Sequence, residues 1–184
     1  MAFTLNNLAF ATVMDVTVHE LEKTNGQWTE AGNSFSLDSL RISNITQEGP
    51  TKEHRGGLEN KPIIRHGKTV RVEMEDVIIK GKALEWFMGA DVDTDTEGNE
   101  TISIGEKFRD KPLKIVGTTY MIDKDTGERE YVVITFHELI PDGVFDLSLE
   151  AEGDMAVFNM AGELFAKCGE YFTIGAGVNP CDSE

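Results

Sequence analysis

"KTVRVEMEDVIIKGKALEWFMGA", residues 68–90, changes its period halfway along. Up to Asp76, apolar and charged residues alternate: Val70, Val72 and Met74 point one way, Arg71, Glu73 and Glu75 the other. That is a strand with one buried face. From Lys82 the period becomes helical. Ala83, Leu84, Phe87 and Met88 fall on one stripe, and Gly89 is placed to end it. So short a helix forms only when the rest of the fold packs against it.

Most of the chain upstream and downstream also reads as strand. "FATVMDVTVHEL" (10–21) is rich in β-branched residues, with Val13, Val16 and Val18 as burial candidates, and Asn25-Gly26 follows as a hairpin turn. "SFSLDSLRISNI" (34–45) starts with Phe35 and Leu37 on one face. It then loses register at Leu40 and Ile42, which predicts a bulge or a strand covered on both sides. "PLKIVGTTYMID" and "YVVITFHELI" read as a hairpin across "DKDTGERE", and "GVFDLSLEAEGD" as a further alternating strand. "MAVFNMAGELFAKCG" fits a helix stripe or a half-buried strand equally by period. "EYFTIGAG" closes as a short strand, and residues 176–184 are expected to be a flexible tail. The sum is one domain, residues 1–184, with about eight to ten strands and one helix, mainly β: a two-sheet sandwich or barrel.

Composition narrows the functions. The formal net charge is −16, which opposes nucleic-acid and anionic-membrane binding. No run of about 18 apolar residues is present, and the opening "MAFTLNNLAFATVMDV" lacks the pattern of a signal peptide. The only two cysteines, Cys168 and Cys181, are expected as free thiols. Residues 47–68 reverse the charge, with Lys52, Arg55, Lys61, Arg65 and Lys68 against three glutamates. This stretch has no sustained period and carries four of the chain's glycines and two prolines, so it reads as a long arm between strands. Ile63 and Ile64 within it are out of place in a merely solvated loop.

Chemical motifs are tested and set aside. Gly67-Lys68-Thr69 ends like a phosphate loop, but Pro62 stands where the first glycine belongs, and a strand follows instead of a helix. "DVDTDTEGNE" (91–100) resembles a calcium loop, but counting from Asp93 puts Ile104 where a bidentate glutamate is needed, and counting from Asp91 puts Thr96 in the glycine position. A solvated acidic turn is the expectation. His19, His54, His66 and His137 are not spaced as zinc ligands, and no Gly-x-Ser-x-Gly elbow occurs. No catalytic residue, metal or cofactor is expected. A carbohydrate-binding sandwich would want exposed aromatics, yet Trp28 and Trp86 are far apart, and Trp86 lies in the helix's apolar run. A basic arm on an acidic body instead suits head-to-tail contact between copies.

With these residues in view, "KPIIRHGKTVRVEMEDVIIKGKALEWFMGA" after "RGG" resembles the major tail tube proteins of long-tailed bacteriophages. The closing strands "VFDLSLEAEGD" and "VFNMAGELFA" are similar to that family as well, and the likeness spans about residues 30–175. The resemblance implies a two-sheet β-sandwich with a helix on one side, hexameric rings whose inner sheets join into one barrel, and stacking into a tube. On that map residues 47–68 are the stacking arm, with Lys52, Arg55, Lys61, Ile63, Ile64 and Arg65 in contact with a neighbouring copy, and 156–166 is a strand. Glu73, Glu75, Asp146 and Glu150 are the candidates for an acidic channel wall, past which DNA slides without being held. Implied partners are further copies of the chain, a tape-measure protein and other tail proteins. The implied place is the virion tail, assembled in the host bacterial cytoplasm. A contractile-tail tube, a tail-completion ring and a ligand-binding sandwich remain as alternatives.

Overall fold

A computed structural model describes residues 8–10, 14–37, 41–48, 51–52, 64–65, 68–76, 80–107, 109, 111–123, 127, 129–148 and 157–175. The first strands are β1 (Leu8–Phe10), β2 (Met14–Thr24), β3 (Gln27–Leu37), β4 (Arg41–Glu48), β5 (Thr51–Lys52), β6 (Ile64–Arg65) and β7 (Thr69–Asp76). Helix α1 (Gly81–Met88) follows, then β8 (Asp91–Thr94), β9 (Glu100–Ser103), β10 (Leu113–Asp123), β11 (Arg129–Ser148), β12 (Val157–Phe165) and β13 (Phe172–Gly175). The tail at 176–184 lies outside the described residues.

Nine strands form one sheet, along the path β3-β2-β10-β11-β12-β7-β4, with β1 beside β10 and β13 beside β11. The expected two-layer sandwich is present, but it is a single sheet folded over. The fold occurs along β11, a strand of 20 residues. Its first part pairs with β10 and β13, and its second part with β12. The β12 ladder is interrupted between Pro141 and Phe145. Proline cannot donate to a ladder, so this break is a place where it is tolerated. The sequence reading made two strands of "YVVITFHELI" and "GVFDLSLEAEGD"; they are one strand with a break.

The two halves of the sheet share one core. Val16, Val18, Ile115 and Phe136 come from one half, Val70, Val72, Met74, Phe158 and Met160 from the other, all in one contiguous buried cluster. Burial of each such side chain contributes about 1.5–3 kcal/mol. Helix α1 closes the cluster with Ala83, Leu84, Trp86, Phe87 and Met88, all buried. The stripe Ala83, Leu84, Phe87, Met88 is therefore the packed face, and Trp86 widens it. Trp86 meets Phe35 edge to face, with ring centroids 4.9 Å apart.

Local signals explain the boundaries. Asn25 and Gly26, at φ 54° and 86°, make the tight turn between β2 and β3. The run 34–45 is not one strand. Leu37 ends β3 and Arg41 begins β4, which lie at opposite ends of the sheet path. Leu40 lies outside the described residues, and a true irregularity stands between Ile42 and Asn44. The period of 155–169 left helix and strand open; β12 decides it, because Phe158, Met160 and Leu164 face the core between two neighbouring strands. Residues 47–68 also hold more regular structure than expected. β4 runs on to Glu48, and β5 pairs with β6 through Thr51–Arg65 and Lys52–Ile64. The arm therefore springs from the β4–β7 hairpin as a short ladder.

The helix ends at Gly89, at φ 70°, whose N–H donates to the Glu85 carbonyl at 3.0 Å. A Cβ there would stand 2.6 Å from the Lys107 carbonyl oxygen. Both the left-handed backbone and the close approach require glycine. Replacing Gly89 with Ala is expected to lower unfolding free energy by about 2 kcal/mol. Urea melts with an unchanged m-value check this, and an unshifted midpoint would contradict it.

Candidate functional site

The polar face of the β4-β7-β12-β11 half is the first candidate surface. On β7, Val70, Val72 and Met74 are buried, so Arg71, Glu73 and Glu75 point away from the core. Cross-strand pairing then places acids side by side. Glu75 lies opposite Asn159, and Asn159 lies opposite Asp146 on its other side. Glu73 faces Ala161, and Arg71 faces Glu163. Three of the four proposed wall acids thus fall in one stretch of sheet: Glu73 and Glu75 on β7 and Asp146 on β11, with β12 between them. Glu150 lies outside the described residues. The patch is not purely anionic. Arg71 pairs with Asp142 and lies 3.8 Å from Glu73, and Arg41 is the partner of Glu75 on β4.

The second candidate surface is the arm. Lys52 stands on β5, Ile64 and Arg65 on β6, with Lys52 directly opposite Ile64. Arg55, Lys61 and Ile63 lie outside the described residues. At the arm's root, the Tyr171 hydroxyl donates to the Lys68 carbonyl at 2.6 Å. Thr69 opens strand β7, so Gly-Lys-Thr leads into extended chain, with no helix N-terminus to hold a phosphate.

The acidic loop 91–100 is a hairpin, β8 with β9. Asp95 organises its turn. Its Oδ1 accepts the N–H groups of Glu97 and Asn99, each at 2.8 Å, and its Oδ2 accepts the Asn99 amide at 2.8 Å. These bonds, from Asn99 above all, hold the Asp95 carboxyl below the usual carboxylate range. The aspartate that a calcium site would need as a ligand is spent on shaping the turn.

Two polar clusters had no sequence signal, because their members are distant in the chain. Glu20 accepts from Arg109 at 2.7 Å and from Asn33 at 3.0 Å, and Arg109 stacks 5.0 Å from the Trp86 ring centroid. The Asn33 hydrogen bond, followed by the cations Arg109 and Lys111, keeps Glu20 below its ordinary value. This group fixes the helix against β2 and the segment before β10. In the second cluster, Lys114 donates to Glu30 at 2.6 Å and Lys167 to the Trp28 carbonyl at 3.1 Å.

His137 lies beside this second cluster, only 4% exposed, its Nε2 without a hydrogen-bond partner. A bulge puts it there. Ile115 pairs with Phe136 and Leu113 with Leu139, so β11 carries one residue more than β10 across this step. Phe136 and Leu139 can then both enter the core, while His137 turns to the reverse face. Cys168 corrects the expectation of free thiols, since it is disulfide-bonded. Spacing along the chain does not reveal such a bond, which depends on how segments meet in space.

No family model and no curated protein sequence matches the chain. Among solved structures it is similar to a chain of the anti-feeding prophage baseplate, from a six-fold symmetrised cryo-EM structure. Identity is 10% and the TM-score 0.44, over 88% of this chain and 92% of that one.

The buried histidine sets a pH dependence. Burial first, then the neighbouring Lys114 and Lys167, hold His137 below its ordinary value of 6.5. Below pH 6.5 the unfolded chain takes up a proton that the folded chain refuses, so stability present above pH 6.5 falls as pH drops. Glu20 and Glu30, held below 4.5, begin to cost stability only at more acidic pH. The melting temperature of His137→Asn should therefore fall less than that of the parent between pH 6.5 and about 5. Parallel curves would show that His137 does not titrate in that window.

Proposed function

We propose that this chain is a structural virion protein of the tail-tube kind, assembling as rings that stack into a tube for DNA passage. The observation that carries this reading is the state of the sheet's ends. β3, with 11 residues, and β4, with 8, terminate the sheet path, and among the described residues each pairs on one side only. Long unpaired edges recruit other strands unless something covers them. Joining the edges of successive copies would satisfy them and close the sheets into a ring, as closed symmetry requires.

Two further features support the reading. The patch of Glu73, Glu75, Asp146 and Glu163 offers a face that repels phosphate, so a duplex in contact with it would not be captured. The arm at 47–68 carries positive charge away from an otherwise acidic body, which suits contact between successive rings. Folded shape and charge thus agree with self-assembly, with copies of the chain as the main partner. Tape-measure and other tail proteins would be the further partners, and the virion tail the place of action.

Sedimentation velocity and negative-stain microscopy over a concentration series test this. Rings or hollow rods are expected at high concentration. A monomer at every concentration would defeat the reading. In a variant with Lys52, Arg55, Lys61 and Arg65 replaced by Ser, rods should shorten or vanish while the thermal melt stays close to that of the parent.

A further inference from the structure

We infer that the β8–β9 hairpin is the surface on which the basic arm of a neighbouring copy docks. This inference rests on the stacking reading above and adds the acceptor. The hairpin forms a two-stranded sheet of its own, bonded to no other strand among the described residues. Ile102 on β9 and Ile104 just after it are 38% and 53% exposed, an apolar margin. Between Asp91 and Glu106 the sequence has six acids and no base. The stretch 47–68, with five Lys and Arg and the pair Ile63-Ile64, is the complement in both charge and apolar content. Opposite charges set the register of such a contact and speed its formation, while apolar margins supply the buried area.

Geometry makes the contact intermolecular. The arm leaves β7 at its Thr69 end, where Glu48 pairs with Thr69. The helix is reached from the other end of β7, since only residues 77–80 separate Asp76 from Gly81. The helix runs from Gly81 to Gly89, which packs on Lys107. The hairpin then doubles back along it: Asp91 at its base pairs with Lys107 at 3.2 Å, while Val92 and Glu100 lie beside Gly81. Val92 and Glu100 thus set the hairpin beside the helix N-terminus, which the chain reaches from the Asp76 end of β7. An eight-residue strand spans roughly 25 Å, so the chain enters the arm and the helix from opposite ends of β7. To touch its own hairpin a copy would have to fold the arm back along the whole strand, whereas a head-to-tail neighbour presents its hairpin at the arm's own end. The Asp95 bonds fix the turn in advance, which lowers the ordering cost of docking.

The test uses the full-length chain in four forms, followed by sedimentation velocity and negative-stain microscopy. One variant reverses the hairpin (Glu97→Lys with Glu100→Lys), leaving Asp95 intact. A second reverses the arm (Lys52→Glu with Arg65→Glu). A third combines both, and a fourth carries Ile102→Ser with Ile104→Ser. Each single-surface reversal and the isoleucine variant should raise the concentration needed for rods at least about tenfold. The combined reversal should recover most of that loss, which a folding defect would not do. Rods from the hairpin-reversed chain at the parent's concentration, with the arm-reversed chain still defective, would overturn the hairpin as acceptor and leave stacking in place. Failure of the parent chain to form rods at all would remove the stacking reading and this inference together.

Discussion

Strand β11 bonds to β10 and β13 through its first part and to β12 through its second, so both layers of the sandwich depend on it. The break after Pro141 lets one strand serve two layers without a connecting loop. The bulge at His137 and Glu138 keeps both parts facing the core, because Phe136 and Leu139 are each fully buried although they are three residues apart. A regular strand would have pointed one of them outward. Three pairings in this sheet, β1 with β10, β2 with β10 and β7 with β12, join distant parts of the chain. Folding must therefore close long loops before the core rewards it, as is usual for sandwiches.

That arrangement decides what is left on the surface. A sheet folded over at its middle still has two ends, and here these are the long strands β3 and β4. The hairpin of β4 and β7 leads, at its Glu48–Thr69 end, to the β5–β6 ladder in the positively charged stretch 47–68. The acidic β8–β9 hairpin lies beside the helix. In the proposed assembly, the charge contrast between these two features serves head-to-tail contact, and the open edges of β3 and β4 serve side-by-side contact. Arg71 moderates the acidic patch on β7, β12 and β11.

Polar residues hold the accessory parts in place. Glu20, Arg109 and Asn33 secure the helix through Trp86. Lys167 ties the turn between β12 and β13 to the carbonyl of Trp28 on β3. Ion pairs of this partly buried kind stabilise modestly in net terms, and the loss of one partner costs more than the pair contributes. They fix position more than they add stability. The disulfide at Cys168 acts in the same region, next to a turn that crosses onto a different part of the sheet.

Alternation and turn chemistry are local, so the sequence alone determined the strand of Val70, Val72 and Met74, the helix with its glycine stop, the Asn25-Gly26 hairpin and the mainly β class. It also determined the reversal of charge at 47–68, which needs only a count. Tertiary structure alone decided the rest. Leu37 and Arg41 went to opposite edges, and residues 157–165 became a strand, since period cannot show which neighbours a segment will find. The strands read at 131–140 and 143–154 are one strand as far as Ser148, because a broken ladder and a loop look alike in sequence. The register that sets Glu75, Asn159 and Asp146 in a row, the burial of His137, and the pairing of Arg109 with Glu20 all depend on contacts between residues far apart in the chain. Such contacts exist only once the sheet has closed on its core.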